Sequence, residues 1–305
     1  MSGRPIKIGI MLPESEYEMA GQTAGWADFL AMARTIEESG FDSLWFADHL
    51  QMKLPDGEPQ GAWECWSILS AFAAVTTRIE LGPFVTATSY RNPALIAKMA
   101  ETVDEISGGR FILGLGSGWA EWEYRVYGYP YDHRASRFEE ALHIITNLIR
   151  TGGIDFAGDY YTIKDCLLRP RGPRPRGMPI MIGTFTGERM MRLTAKHADH
   201  WNIWANAFGN RAEGLYPLLR EMDEYCREVD RKPASLERSA SVLVDFEGAY
   251  GRPAQPVPSL TGTPRLLADE YLRYAEAGVS LLQLYPDPCT VDGIKRCAEA
   301  VALLN

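Results

Sequence analysis

Ile6-Lys7-Ile8-Gly9-Ile10-Met11-Leu12-Pro13-Glu14-Ser15-Glu16 decides the fold. The part from Ile6 to Leu12 is a short apolar run of the kind a buried strand gives. The residues just after it distinguish two parallel architectures. An open doubly wound sheet normally carries a glycine fingerprint directly after its first strand, where a phosphate meets the next helix. Here that position reads Leu12-Pro13-Glu14-Ser15-Glu16, without a glycine. A closed barrel makes no such demand, so the remaining question is how many βα units the chain contains.

Apolar side chains recur at helical spacing from Trp26 to Ser39 (Phe29, Leu30, Met32, Ala33, Ile36), and Gly40 follows as a cap. Ser43 to Ala47 reads as a second strand, Trp63 to Thr76 as a helix, and Ile79 to Ala87 as a third strand. Pro93 to Ile106 opens with proline at the first helical position and closes at Gly108-Gly109. Phe111 to Leu115 is a fourth strand and Arg137 to Arg150 a helix. Residues 151–178 are loaded with glycine and proline, too long for a βα connection, and read as an insertion after the fourth βα unit. The basic run from Arg169 to Arg176 within it reads as a solvated loop. Alternation then resumes, with strands at Pro179–Phe185, Trp201–Trp204, Ala240–Phe246 and Ser280–Tyr285, and helices near 187–197, 216–229, 264–277 and the C-terminus. Eight strands alternating with eight helices predict an all-parallel (β/α)8 TIM barrel. The 305 residues suit one such barrel, and no internal boundary argues for more than a single domain over 1–305.

Composition narrows the function. Apolar residues make up 46% and charged residues 23%, enough for a packed core and too few charges for a disordered chain. A net charge of −9 repels a phosphate backbone, which argues against a nucleic-acid partner. No apolar run reaches the roughly 18 residues of a transmembrane helix. The opening Met1-Ser2-Gly3-Arg4-Pro5-Ile6 lacks the regions of a signal peptide. Five scattered cysteines without a CxxC read as reduced thiols, and together these features lead us to expect a cytoplasmic protein.

In such a barrel, function gathers at the carboxyl ends of the strands. Those ends carry no lysine for a Schiff base and no His-x-His for a metal hydrolase, so no metal site is expected. His197 and His200 fall on the opposite rim and read as structural. Gly114-Leu115-Gly116-Ser117-Gly118-Trp119 fails the dinucleotide pattern because Trp119 stands in place of the third glycine, leaving close backbone approach as the alternative. Gly183-Thr184-Phe185-Thr186-Gly187-Glu188 joins a strand end to a helix N-terminus, which suits either a phosphate or a plain N-cap. His49, beside Asp48, is the one histidine at a strand's carboxyl end. It is a structural residue or a general acid–base group. Trp63, Trp66, Trp119, Trp201 and Trp204 suit a flat apolar ligand or the core.

Several segments carry a family resemblance. They include Gly40-Phe41-Asp42-Ser43-Leu44-Trp45-Phe46-Ala47-Asp48-His49-Leu50, Tyr90-Arg91-Asn92-Pro93-Ala94-Leu95, Glu101-Thr102-Val103-Asp104-Glu105-Ile106-Ser107-Gly108-Gly109-Arg110, Leu113 to Trp119, Tyr127-Gly128-Tyr129-Pro130 and Ala198-Asp199-His200-Trp201-Asn202. In combination they resemble the luciferase-like monooxygenase superfamily over about residues 6–245, and within it the oxidoreductases dependent on the deazaflavin coenzyme F420. The resemblance implies a flavin-like ring across the barrel mouth and a homodimer. Asp48 and His49 would face the ring, with His49 exchanging the substrate's proton. Thr86-Ala87-Thr88 would mark a bulge with a non-prolyl cis peptide behind the ring. Gly183, Thr184, Thr186 and Gly187 would hold the cofactor phosphate, and Ser117 and Trp201 would complete the cofactor-binding set. Relatives that oxidise a sugar phosphate carry a glutamate where this chain has Trp119, a change toward a more apolar substrate.

The expectation is therefore hydride transfer between F420 and a small organic substrate. An FMN-dependent monooxygenase using reduced flavin and oxygen is the alternative on the same fold. A non-catalytic cofactor-binding protein is a third reading, disfavoured by the histidine at the mouth.

Overall fold

A computed structural model describes residues 3–53, 57–247 and 258–304. Its first half runs β1 (Lys7–Met11), α1 (Trp26–Glu38), β2 (Ser43–Phe46), β3 (Gln51–Lys53), β4 (Pro59–Gly61), α2 (Cys65–Val75), β5 (Glu80–Pro83), β6 (Thr86–Ala87), α3 (Pro93–Ser107), β7 (Leu113–Gly116), α4 (Glu121–Tyr127) and α5 (Arg134–Thr151). The second half runs β8 (Gly153–Ala157), β9 (Thr162–Leu167), β10 (Ile180–Gly183), α6 (Glu188–His197), β11 (His200–Trp204), α7 (Ala212–Glu228), β12 (Glu237–Asp245), α8 (Pro264–Glu276), β13 (Leu281–Asp287) and α9 (Val291–Ala302).

One parallel sheet has the order β5-β2-β1-β13-β12-β11-β10-β7-β6. Its two end members are halves of one broken strand, and a parallel bridge between Leu81 and Phe111 draws the ends together into a barrel. The (β/α)8 reading therefore stands, with its third strand split. The break falls at the cis Phe84–Val85 peptide, just before the Thr86-Ala87-Thr88 segment expected to carry it. Val85 there lies against Gly114, Gly116 and Gly183: a Cβ on Gly116 would come within 2.7 Å of Val85 Cγ2. Close approach, rather than a dinucleotide, accounts for glycines at the ends of β7 and β10.

Two apolar layers hold the wall. The larger lies between sheet and helices and takes in Ile8, Phe29, Phe46, Phe72, Phe138, Ile182 and Trp201. A smaller one fills the barrel's interior with Met11, Trp45, Ile112, Met181, Leu243 and Tyr285. The helices form for local reasons. In α3, the Asn92 side chain accepts from the N–H of Ala94, Pro93 occupies the first turn, and Gly108 ends the helix at φ 68°. In α2, the cap is Glu64, which accepts from the N–H groups of Trp66 and Ser67. No helix among the described residues is long and apolar enough to cross a membrane.

The 151–178 insertion contains an antiparallel hairpin, β8 with β9. Its basic run is not a solvated loop. Arg171 Nε lies 3.1 Å from Glu101 Oε1, and Arg174 Nη2 lies 2.6 Å from Asp104 Oδ1. Both carboxylates are buried on α3. An unpaired buried carboxylate is costly, so the arginines strap the insertion to the helix.

Candidate active site at the carboxyl ends of the strands

β2 ends directly before Ala47-Asp48-His49, and the two polar residues enter two separate networks. His49 Nδ1 lies 2.9 Å from Glu123 Oε2, on α4. The same oxygen accepts from the Tyr90 hydroxyl at 2.7 Å. Glu123 Oε1 accepts from the backbone N–H of Gln51 at 3.0 Å and from that of Leu50. Glu123 has no solvent exposure, so its charge is held by these donors alone. Burial by itself would push His49 down; the hydrogen bond to Glu123, with the charges of Glu14, Glu123 and Asp48, outweighs it and raises the imidazole above its ordinary value. Burial likewise works against the Glu123 carboxylate, and the His49 hydrogen bond, His49 charge and backbone donors bring it below the usual range. Both shifts favour an imidazolium–carboxylate pair. Trp119, 67% exposed, stands edge-on to the His49 ring at 5.7 Å between centroids.

Asp48 is buried and receives both ends of the Arg91 guanidinium, Nη1 to Oδ2 at 2.7 Å and Nη2 to Oδ1 at 2.9 Å. Arg91 Nη2 also reaches Glu64 Oε1 at 2.7 Å. Burial pushes the Asp48 carboxyl up against the pull of Arg91. Asp48 Oδ2 further accepts from the Ala87 N–H at 3.2 Å, tying it to the strand end after the cis peptide. There the Thr88 hydroxyl donates to the Gly116 carbonyl at 3.4 Å, while the buried Thr86 Oγ1 has no hydrogen-bond partner. Ser117, at the next strand end, is half-buried and its carbonyl accepts from the Tyr124 hydroxyl at 2.9 Å.

The loop from Gly183 to Gly187 leads into α6. Gly187 has φ 86°, a backbone conformation that favours glycine, and no side chain caps the helix. The Thr184 hydroxyl is turned to the Thr186 carbonyl at 3.2 Å. An α-helix leaves its first N–H groups without intrahelical partners, and an uncapped, glycine-opened end fits an anionic group. Trp201 is fully buried and donates from Nε1 to the Thr184 carbonyl at 2.7 Å. It thus fixes the loop from beneath rather than facing the mouth.

A third network lines the β1 and β13 ends. Glu18 is buried, and its Oε2 accepts from the Tyr285 hydroxyl and the Glu14 N–H, each at 2.6 Å. Its Oε1 accepts from the Ser15 hydroxyl at 3.0 Å. His197 and His200 lie at the other rim, where burial lowers both. Among the described residues, no group of three or more His, Cys, Asp and Glu side chains could hold a metal ion.

Sequence reasoning found Asp48 and His49 but missed Glu123, Tyr90, Arg91 and Glu64, which determine what those two can do. Tyr90-Arg91 stood directly before the Asn92-Pro93 helix start, one short turn from a strand end, which was the available signal.

A parallel barrel with a half-buried histidine paired to a buried carboxylate at its strand ends has the build of a TIM-barrel enzyme. Residues 6–245 match the family model of luciferase-like monooxygenases, and the chain belongs to that family. The F420-dependent glucose-6-phosphate dehydrogenase of Amycolatopsis mediterranei is 35% identical over 239 residues, covering 76% of this chain and 68% of that protein. The pyrimidine monooxygenase RutA of Cronobacter turicensis is 38% identical over 142 residues, 45% of this chain. This chain spans only 36% of the length of that relative. An F420-dependent secondary alcohol dehydrogenase, solved with an F420–acetone adduct, shares the fold with a TM-score of 0.81 at 19% identity, covering 98% of this chain and 99% of that one.

Proposed function

We propose that this protein is an oxidoreductase that holds coenzyme F420 across the barrel mouth and moves hydride between it and an uncharged organic substrate, with His49 handling the proton. The observation that carries this reading is the His49–Glu123 pair, an imidazole fixed through Nδ1 and biased toward its protonated form. The F420 reading is favoured over the monooxygenase one because the F420-dependent relative aligns over 76% of this chain, against 45% and 56% for two pyrimidine monooxygenases.

Gly183, Thr184, Thr186 and Gly187, with the first N–H groups of α6, would hold the cofactor's phosphate. Thr86, Ala87, Thr88 and Ser117 would border the ring, and the orphaned Thr86 hydroxyl suits a polar ring edge. When bound, the deazaflavin supplies or accepts two electrons as a hydride. With Glu123 on Nδ1, His49 exchanges protons through Nε2. As imidazolium it donates to a carbonyl oxygen being reduced; as neutral imidazole it takes the proton of an alcohol being oxidised. Glu123 stabilises the cation in both directions. Trp119, edge-on beside the imidazole, would present an apolar surface to the substrate next to His49. Arg91 is engaged by two carboxylates and is not offered to an anionic substrate, which agrees with an apolar one. Exposed Val75, Leu95 and Ile106 on α2 and α3 support a homodimer through those helices.

The test is a titration of the purified apoprotein with oxidised F420 and with FMN, followed by ligand fluorescence and tryptophan quenching. Tight F420 binding with weak FMN binding is expected, and turnover should follow with secondary alcohols, ketones or imines. The reverse preference would replace this reading with the monooxygenase one, favoured by the 38% identity to the pyrimidine monooxygenase. F420 binding without turnover across a broad panel would point to a binding protein.

A further inference from the structure

We propose that Tyr90 is a positioning residue for the proton chemistry: its hydroxyl donates to the Glu123 oxygen that holds His49 Nδ1, and so sets how firmly that carboxylate grips the imidazolium. The proposal rests on the reading of His49 as the proton-handling group. The groups facing His49 come from several elements: Glu123 from α4, Asp48 from its own strand end with Arg91 behind it, Glu14 from the segment after β1, and the Trp119 ring.

The donors on Glu123 are of two kinds. Leu50 and Gln51 follow His49 directly and contribute backbone N–H groups, which no side-chain change short of proline removes. Tyr90 is the donor delivered by a different strand, from the short 3-10 turn Thr88–Tyr90 that follows β6. It shares Oε2 with His49, so the two compete for the same lone-pair density. A phenol donating to a carboxylate draws charge from it and weakens its hold on a neighbouring cation. The Tyr90 ring is not free to leave. It is stacked on Tyr129 with centroids 4.9 Å apart at 23°, and tilted against Tyr124 at 4.9 Å. Burial, and then Glu123 itself, push the Tyr90 hydroxyl far above its ordinary range, so it remains a donor at any working pH.

The experiment is an NMR titration of labelled histidine imidazoles in the apoprotein, with the His49 signal assigned by its loss in His49→Asn. In Tyr90→Phe the His49 midpoint should rise by about half to one pH unit, a three- to ten-fold tighter hold on the proton. Tyr129→Phe removes a hydroxyl from the same aromatic stack without touching Glu123, and should leave the midpoint in place. In turnover assays with F420, the limb of the pH profile set by His49 should move with the Tyr90→Phe shift while KM changes little. An unchanged midpoint in folded Tyr90→Phe, or an equal shift in Tyr129→Phe, overturns the proposal. If Tyr90→Phe does not fold, biosynthetic 3-fluorotyrosine, a more acidic phenol of the same shape, should lower the midpoint, and no movement overturns the proposal. A shifted midpoint with an unmoved activity profile would uphold the coupling through Glu123 and overturn the role of His49 in turnover.

Discussion

Asp48 and His49 are neighbours in the chain, yet the networks around them are built for different work. Asp48 is clasped by a guanidinium at 2.7 and 2.9 Å and spends a further lone pair on the Ala87 N–H. Arginine does not titrate in a protein, so the cation of this pair is fixed and its bidentate grip sets the shape of the strand end. His49 is paired instead with a carboxylate, and its own proton is the one that can leave. One side of the strand end is scaffold; the other is a proton store. Partner chemistry, more than burial, divides them, since Asp48 and Glu123 are both buried.

The largest expected effect is on the proton side. His49→Ala should lower turnover about 10²–10⁴-fold, the usual contribution of a positioned acid–base group, with cofactor affinity nearly unchanged. Steady-state kinetics at saturating cofactor, alongside a binding titration, would show it; unchanged turnover would dissolve the distinction between the two residues. On the scaffold side, Arg91→Met leaves Asp48 buried with only the Ala87 N–H, and should cost about 3–5 kcal/mol of stability. The carboxyl of Asp48 would then be raised further above its unfolded value. Stability of this variant should fall as pH rises above about 3.9 and be partly regained in acid, as read by urea unfolding at several pH values.

Glu123→Gln sharpens the comparison through pH. His49 is raised in the folded protein, so its contribution is complete below the unfolded value of about 6.5 and lost as pH rises through the raised one. Glu123 is lowered, so its contribution is present above about 4.3 and lost as pH falls through the lowered value. The wild-type advantage over Glu123→Gln should therefore peak between about pH 4.3 and 6.5 and shrink on both sides. A difference that stays flat from well below about pH 4.3 to well above about pH 6.5 would mean that the pair carries no charge.

Most of the barrel was legible because long apolar periodicities are written into β1, α1, α3 and the elements of the second half. The short pieces were not. β3, β4 and α4 span 3, 3 and 7 residues, too few for either period to show. Glu121-Trp122-Glu123-Tyr124 within α4 reads as a polar connection, and its partner His49 lies 74 positions earlier. Trp201 could have been read better. Along β11, side chains alternate between faces: Asn202 points inward, within 3.0 Å of Ser239 Oγ and Gln283 Oε1, and Trp204 packs with the interior cluster. That places Trp201 on the helix side, where it is found. The insertion arginines escaped because their partners, Glu101 and Asp104, look like ordinary exposed positions of an amphipathic helix.

The scaffold extends past Asp48 to Val85, which rests across the glycines at the adjacent strand ends. A Cβ on Gly116 would lie 2.7 Å from Val85 Cγ2, and one on Gly183 would lie 3.2 Å from both Val85 methyls. Gly116→Ala should cost about 1–3 kcal/mol through overpacking, and Gly183→Ala less, because its neighbour needs to give only slightly. Val85→Ala removes both methyls, so in that background Gly116→Ala should become nearly neutral. A double-mutant cycle by urea unfolding should return a coupling of about 0.5–3 kcal/mol. Additive costs would show that Val85 moves aside freely, and the rigid support would then reduce to the Arg91–Asp48–Ala87 contacts alone. A coupled pair would instead make the broken third strand part of the same fixed scaffold, leaving His49 and Glu123 as the half of the strand end whose charge changes with pH.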